Sequence, residues 1–215
     1  MIIGFAGKAA SGKTTAAKHL QALLGDKIQV LPMASMLRRE VETFLRQIGA
    51  ADKVALLYGD QQDKLTHFEI DERSARQECP AWDNFVAENR DIQQHPGRTT
   101  LSVRRILQWW GTEYRRAQDP DYWTKAWEAA LKELPDRDAH ILVDDVRFHN
   151  EVDAIQRNGG VLIRVERPGF NGANDHSSEN SLDDFNDWNM ILRNDGSLEQ
   201  FLHQVEDKVL TLLAG

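Results

Sequence analysis

Residues 2–15 are Ile2-Ile3-Gly4-Phe5-Ala6-Gly7-Lys8-Ala9-Ala10-Ser11-Gly12-Lys13-Thr14-Thr15. The apolar run Ile2 to Ala6 predicts a buried strand, and Gly7 to Thr14 fits G-x4-G-K-[ST] at every fixed position. Beyond it Ala16, Ala17, Leu20, Leu23 and Leu24 recur at helical spacing, and Gly25 is placed to end the helix. Strand, glycine loop and helix in that order are the context a phosphate-binding loop requires. Gly7 and Gly12 let the backbone turn tightly, so that successive N–H groups from Gly7 to Thr15 converge on one cluster of phosphate oxygens. The helix N-terminus adds its partial positive charge. Lys13 is placed to reach the β- and γ-phosphates, and the Thr14 hydroxyl to ligate Mg²⁺. The ligand implied is a nucleoside triphosphate.

Outward from this stretch, Ile28 to Met33 reads as a second strand. Ala34 to Ile48 places Val41, Phe44, Leu45 and Ile48 on one face of an amphipathic helix, with Arg38, Arg39 and Arg46 among its polar positions. Residues 51–65 are weakly helical. From Thr66 to Arg98 the chain turns polar, with Trp82, Phe85 and Val86 scattered through it, and reads as an inserted, partly helical excursion or a flexible lobe. Thr99 or Thr100 is placed to cap a helix whose stripe is Val103, Ile106, Leu107, Trp110 and Tyr114. Trp109 and Trp110 point ~100° apart on such a helix, so they are not expected to be buried alike. Pro120 suits the first position of the next helix, with Tyr122, Trp123 and Trp127 turned inward.

Alternation then returns. His140 to Asp144 is a strand, Glu151 to Arg157 a helix, and Gly159-Gly160 turns into the strand Val161 to Val165. Residues 168–181, rich in Gly, Asn, Asp and Ser, read as a lid, followed by a strand over Trp188 to Leu192 and a closing helix from Ser197. Strands separated by helices argue an α/β fold whose parallel sheet is covered on both faces. Its core is expected over 1–33 and 138–215, with a helical insertion over 34–137.

Bulk properties narrow the partners. The chain has 215 residues, room for one α/β domain with an appended lobe. With 34 acidic against 26 basic residues the net charge is −8, which disfavours nucleic acid polymers and anionic membranes. Small nucleotides need only a local cluster of Arg and Lys. A single cysteine, Cys79, leaves no intrachain disulfide and suits a reducing, cytoplasmic compartment. No run approaches the ~20 apolar residues of a membrane span.

Three further groupings carry chemistry. Asp144-Asp145 ends an apolar strand, where a carboxylate beside a phosphate loop can hold Mg²⁺. Strand register decides which of the two does so. Arg147 follows two residues later, either gripping a phosphate with its planar fork or pairing with Glu151 at i,i+4. On the helix near 101–116, Arg104, Gln108 and Thr112 step by four and share a face, with Arg116 one step further. Gly111 among them costs ~1 kcal/mol relative to Ala, which suggests a close approach to the backbone. Arg164 and Arg167 lead into the expected lid, where they could cover charge on a transferring phosphoryl group.

Several blocks, in order, resemble the phage-type deoxynucleoside monophosphate kinases, relatives of the nucleoside monophosphate and dephospho-coenzyme A kinases. They are GFAGKAASGKTT, ASMLRREV, LYGDQQDK, SVRRILQWWGTEYRRAQDPDYW, ILVDDVRFHNEVDAIQRNGGVLIRVERPG, DHSSE and ILRNDGSLEQF. The resemblance implies a P-loop kinase-like sheet of five parallel strands, an inserted lobe for the monophosphate and a short lid. It implies in-line transfer from ATP, with Mg²⁺, to a deoxynucleoside 5′-monophosphate, in a cytoplasm that is the host's if the chain is phage-encoded. By motif match it assigns Arg38, Lys64, Arg104, Gln108, Thr112 and Arg116 to the acceptor, with Asp145, Arg147 and Asn150. Asn194 falls on the adenine side, and Lys13, Arg104, Arg116, Asp145, Arg147 and Arg167 are the residues expected to act in the transfer. Thr14, Asp144 and Asp145 are the expected metal ligands. Thr14 stands where relatives often carry Asp, and Arg38 where a Lys is common. Other monophosphates or dephospho-coenzyme A remain alternative acceptors. A slow nucleotide switch is a further alternative, although no N-K-x-D motif is present to read guanine. Both a monomer and a homodimer stay open.

Overall fold

Ile2–Ala6 forms β1, buried along its whole length, and Lys13–Leu24 forms α1, which ends at Gly25. The computed structural model describes residues 1–89, 96–136, 138–169 and 180–214. After α1 come β2 (Ile28–Val30), α2 (Ala34–Gln47), α3 (Ala55–Tyr58), α4 (Gln61–Leu65), β3 (His67–Asp71), α5 (Glu72–Glu78) and α6 (Trp82–Glu88). They are followed by β4 (Arg98–Ser102) and α7 (Val103–Trp109), the latter running on as a π-helical turn over Trp110–Arg116. The chain finishes with α8 (Tyr122–Lys132), β5 (His140–Val146), α9 (His149–Arg157), β6 (Val161–Glu166), β7 (Met190–Arg193) and α10 (Leu198–Ala214). It divides into two compact units, one of Met1–Met33 with Thr124–Gly215 and one of Ala34–Trp123.

The first unit holds a five-stranded sheet in the order β2-β5-β1-β6-β7, every adjacent pair parallel. Pleating sorts β1 between two covers. Ile3 and Phe5 pack with Ala16, Ala17 and Leu20 of α1 and with Phe201, Val205 and Val209 of α10. Ile2 and Ala6 pack on the other face with Val152 and Ile155 of α9 and with Trp127, whose indole donates to Leu31 O at 3.0 Å. β2 is shorter than the expected Ile28 to Met33: Pro32 has no N–H to continue a ladder. β5 runs two residues further than expected, through a bulge that sets Asp144 and Asp145 together opposite Phe5. The last strand lies at Met190–Arg193, not Trp188 to Leu192; at Asn189 the side-chain Oδ1, not the backbone, accepts Leu162 N–H at 2.8 Å. Most of the stretch expected as a lid, 170–179, lies outside the described residues.

Gly160 shows how tightly α9 and β6 meet. A Cβ there would lie 2.6 Å from Ile155 Cγ2, 2.9 Å from Ile2 Cβ and 3.0 Å from Ile155 O. Both isoleucines are buried and one contact is backbone, so Gly160→Ala should cost about 1–3 kcal/mol as an overpacked core does. The measurement is a thermal melt: Tm should fall by several degrees, and an unchanged Tm would show that the turn yields.

The second unit is where the sequence reading needs correction. Among the described residues of 66–98, partly helical as expected, the aromatics are not scattered but packed into a core. β3 and β4 form an antiparallel pair, Phe68 opposite Leu101 and Ile70 opposite Thr99, and Phe68 and Ile70 alternate inward with exposed His67, Glu69 and Asp71. Trp82 and Phe85 are fully buried, their rings 4.7 Å apart, with Phe44 5.4 Å from Trp82 and Trp109 5.0 Å from Phe85. Thr99 caps no helix. It sits in β4 and donates to the buried Glu72 carboxylate, while Ser102 Oγ accepts from Arg105 N and caps α7. Trp109 and Trp110 are both only 4% exposed, against expectation. Each indole has its own carboxylate, Glu88 for Trp109 and Glu40 for Trp110, so two directions from one helix are both lined with protein. Pro120 precedes α8 by two residues, because the Asp119 carboxylate accepts Asp121 N and holds a turn there.

Candidate functional site

At the end of β1 the chain turns at Gly7, whose φ is +145°; a Cβ there would lie 2.3 Å from Val165 O, so only glycine fits. Gly12 has φ +115° and faces Asn194 Nδ2 and the Phe201 ring at 2.9 and 3.1 Å from a built Cβ. Ala10 also takes a left-handed conformation, at φ +60°, a strain of about 1–2 kcal/mol held by its surroundings. Lys13 opens α1 and is only 7% exposed; its Nζ donates to Gly7 O at 2.6 Å and Lys8 O at 2.8 Å. The ammonium thus lies inside the curl of the loop. Thr14 and Thr15 are exposed in the first turn of α1. Ser11 Oγ is buried without a hydrogen-bond partner among the described residues, a polar atom left over in the loop.

Neighbouring elements brace this loop. Asn194, just past β7, donates its side-chain amide to Ser11 O at 2.8 Å and its backbone N–H to Glu166 O at 2.7 Å. Arg167, just past β6, donates to Ala10 O at 3.2 Å. Lys8 Nζ donates to Asn180 Oδ1 at 2.8 Å and pairs with Asp183 at 2.6 Å.

A cleft of about 300 Å³ opens beside the loop, at the carboxyl ends of β1, β5 and β6. Its walls include Gly7, Lys8, Ser11, Arg147, Arg164 and Arg167. The Arg164 guanidinium is steadied 3.2 Å from Glu166 and lies over the Trp188 ring, 5.5 Å from its centroid. Arg147 stands at the entrance to α9. Glu151 is buried and its Oε2 accepts the backbone N–H groups of Arg147 and Phe148, at 2.7 and 3.2 Å, which caps α9 and sets where Arg147 leaves the sheet. Asn150 is half-buried in the first turn of that helix. Of the two strand-end acids, Asp145 Oδ1 accepts Met33 N at 2.7 Å, and both are half-buried at the bulge.

The other expected residues fall in the second unit. Arg38 on α2, Lys64 on α4 and Arg104 on α7 come together: burial, then the nearby Arg38, hold the Lys64 ammonium below its usual pKa, with Arg104 adding to the effect and Asp60 opposing it. Gln108 and Thr112 are half-buried further along, as is Arg116, whose Nη1 lies 3.5 Å from Pro120 O. The even steps of four do not persist, because from Trp110 the helix widens into its π turn. Gly111 O accepts the Trp123 indole N–H at 2.9 Å, and Leu37 Cδ2 would sit 3.1 Å from a Cβ on Gly111. Packing thus accounts for the mid-helix glycine.

Sequence reasoning missed Glu40. Its Oε2 accepts from Trp110 Nε1 and Arg115 Nε, each at 2.9 Å, and its Oε1 accepts from the Tyr122 hydroxyl. Arg115 in turn lies over the Tyr114 and Tyr122 rings, 4.7 and 4.9 Å from their centroids. Only helical spacing could have hinted at Glu40, and it read as one polar position among several on α2. Among the described residues no group of three or more His, Cys, Asp and Glu is arranged to hold a metal, and no helix is long and apolar enough to cross a membrane.

A glycine loop feeding a helix from the central strand of a five-stranded parallel sheet defines a P-loop kinase-like protein. A model of the family described as deoxynucleotide monophosphate kinase matches residues 52–205. A protein of Acanthamoeba polyphaga mimivirus named "Putative deoxynucleotide monophosphate kinase" is 28% identical over 217 residues, covering 95% of this chain and 94% of that protein. The deoxynucleotide monophosphate kinase of Enterobacteria phage T4 is 32% identical over 135 residues, 60% of this chain and 54% of that one. That of Escherichia phage RB69 is 28% identical over 109 residues, 50% of this chain and 44% of its own. The chain belongs to the deoxynucleotide monophosphate kinase family, and is accordingly a nucleotide kinase.

Proposed function

We propose that the chain moves the γ-phosphoryl group of ATP to a deoxynucleoside 5′-monophosphate, with the donor at the Gly7–Thr15 loop and the acceptor at the cations of the Ala34–Trp123 unit. The observation that carries this reading is the loop itself: Lys13 Nζ held 2.6 Å from Gly7 O, where a phosphate would take over the ammonium. The electrostatics around Lys64 support the acceptor half: burial and the positive charges of Arg38 and Arg104 disfavour its ammonium, against Asp60 and Asp63, and a bound dianion would favour it.

An acceptor phosphate has its second pKa near ~6 and is mostly dianionic at pH 7, so no general base is required. Catalysis then rests on placement and on charge. Lys13 and the loop amides orient the donor. Arg104, Gln108, Thr112 and Arg116 hold the acceptor with Arg38 and Lys64. Arg147 and Arg167, beside the loop, cover the oxygens of the group in transit, and Asn194 keeps the loop in shape through Ser11. The site's oxygen donors, the Thr14 hydroxyl and the Asp144 and Asp145 carboxylates, suit Mg²⁺, which keeps several waters and needs only one or two protein ligands beside phosphate. Bound there, the ion would neutralise charge on the β- and γ-phosphates.

A coupled assay that offers ATP with each monophosphate in turn tests the reading. ADP should form in step with one or more deoxynucleoside monophosphates, and ADP formation that ignores all of them would overturn it.

The Lys64 environment adds a pH dependence. Folding lowers its pKa from the ordinary ~10.4. The acceptor's kcat/KM should therefore fall as pH rises through that lowered value, because the neutral amine no longer attracts the dianion. Lys64→Arg keeps its charge and should move the alkaline limb to higher pH. Identical limbs in both proteins would remove Lys64 from the acceptor site.

A further inference from the structure

We propose that Glu40 is a positioning residue for the acceptor nucleotide: its carboxylate anchors the π-helical turn that presents Thr112 and Arg116. The proposal rests on the acceptor role given to those two residues above.

A π turn is a rare departure from the α-helix that serves in short pieces, often at functional sites, and something outside the helix has to hold it. Glu40 does so from α2. The turn spans seven residues, Trp110–Arg116, and Glu40 Oε2 accepts from its first residue, Trp110, and from its sixth, Arg115. One carboxylate oxygen therefore ties the two ends of the turn together. Its other oxygen accepts from Tyr122 on α8, and the Tyr114 and Tyr122 rings lie against the Arg115 guanidinium. Trp123, next to Tyr122, donates its indole N–H to the Gly111 carbonyl.

Thr112 and Arg116 directly follow Gly111 and Arg115, so both acceptor residues hang from the points the network pins. The Arg115 and Glu40 side chains are only 25% and 27% exposed, so the pair contributes to stability as well as to geometry, and a thermal melt has to accompany the kinetics. The geometric part is large: a displacement of about 1 Å at a positioning group can cost on the order of 10²-fold in rate.

The test compares Glu40→Gln and Tyr122→Phe with Arg116→Ala, each by steady-state kinetics in both substrates and by thermal melt. Gln keeps the length but not the charge that Arg115 needs, and Phe keeps the ring while deleting one donor. Glu40→Gln should raise the KM for the monophosphate on the order of 10-fold and lower kcat, with the KM for ATP within about 2-fold. Tyr122→Phe should do the same to a smaller degree. An unchanged monophosphate KM in Glu40→Gln, with a raised one in Arg116→Ala, overturns the positioning role and leaves the acceptor assignment standing. Equal losses for both substrates with a lowered Tm reduce Glu40 to a structural residue and also overturn it. If Arg116→Ala and Thr112→Val leave the monophosphate unaffected, the acceptor assignment fails and this proposal with it. Should Glu40→Gln not fold, Tyr122→Phe decides alone: a rise confined to the monophosphate KM supports the proposal and no rise overturns it.

Discussion

Replacing Lys13 with Met is expected to lower kcat by at least about 10²-fold, a loss of ~3 kcal/mol or more in transition-state stabilisation. The ammonium sits inside the phosphate loop, donating to Gly7 O and Lys8 O. Met fills the space of the stem but supplies neither charge nor donor. Some stability will go with it, since two carbonyls lose a charged donor, but both lie in a loop that water can reach. A drop in Tm of a few degrees is expected, against a loss of activity far larger than unfolding could produce at assay temperature. Circular dichroism and single-turnover phosphoryl transfer on the same preparation separate the two. A folded Lys13→Met protein with near wild-type kcat would remove this loop from the chemistry.

Arg104→Ala should weaken the monophosphate and spare ATP. The expected loss is about 2–4 kcal/mol spread over KM and kcat, the scale of a charge-assisted, bidentate contact. Arg104 is half-buried on α7 and close enough to Lys64 to influence its pKa, so its removal also relieves repulsion among three cations. Lys64 should then titrate nearer its ordinary range. Arg104→Lys should recover part of the binding, because an ammonium keeps the charge without the planar fork. Separate calorimetric titrations of ATP and of the monophosphate check this. Equal weakening of both, with a fall in Tm, would make Arg104 a structural residue.

The residues the sequence singled out near the loop were legible because their chemistry is local. Gly7, Gly12, Lys13 and Thr14 need only their spacing, with a strand before and a helix after, and the backbone takes up the positive φ values that spacing requires. The strand-end acids were legible as a pair, but a bulge that doubles them against Phe5 cannot be read from an apolar run. The second unit was least legible. β3 displays its period of two within His67–Asp71, yet it pairs with Arg98–Ser102, whose residues look like helix caps until their partner is known. Trp109 and Trp110 were expected to differ in burial because helix geometry points them apart. Glu88 and Glu40, far away in sequence, provide a partner in each direction.

The α/β class, the phosphate loop and the succession of parallel strands are written locally, because periodicity and loop spacing are properties of neighbouring residues. Tertiary structure alone decided which groups share a carboxylate or a cleft. Arg38 and Arg104 act on Lys64 from two other helices, and Glu40 reaches Arg115 across 75 positions of chain. Such pairings depend on how helices pack, and helix packing is set by the shape of a whole core that no local pattern encodes.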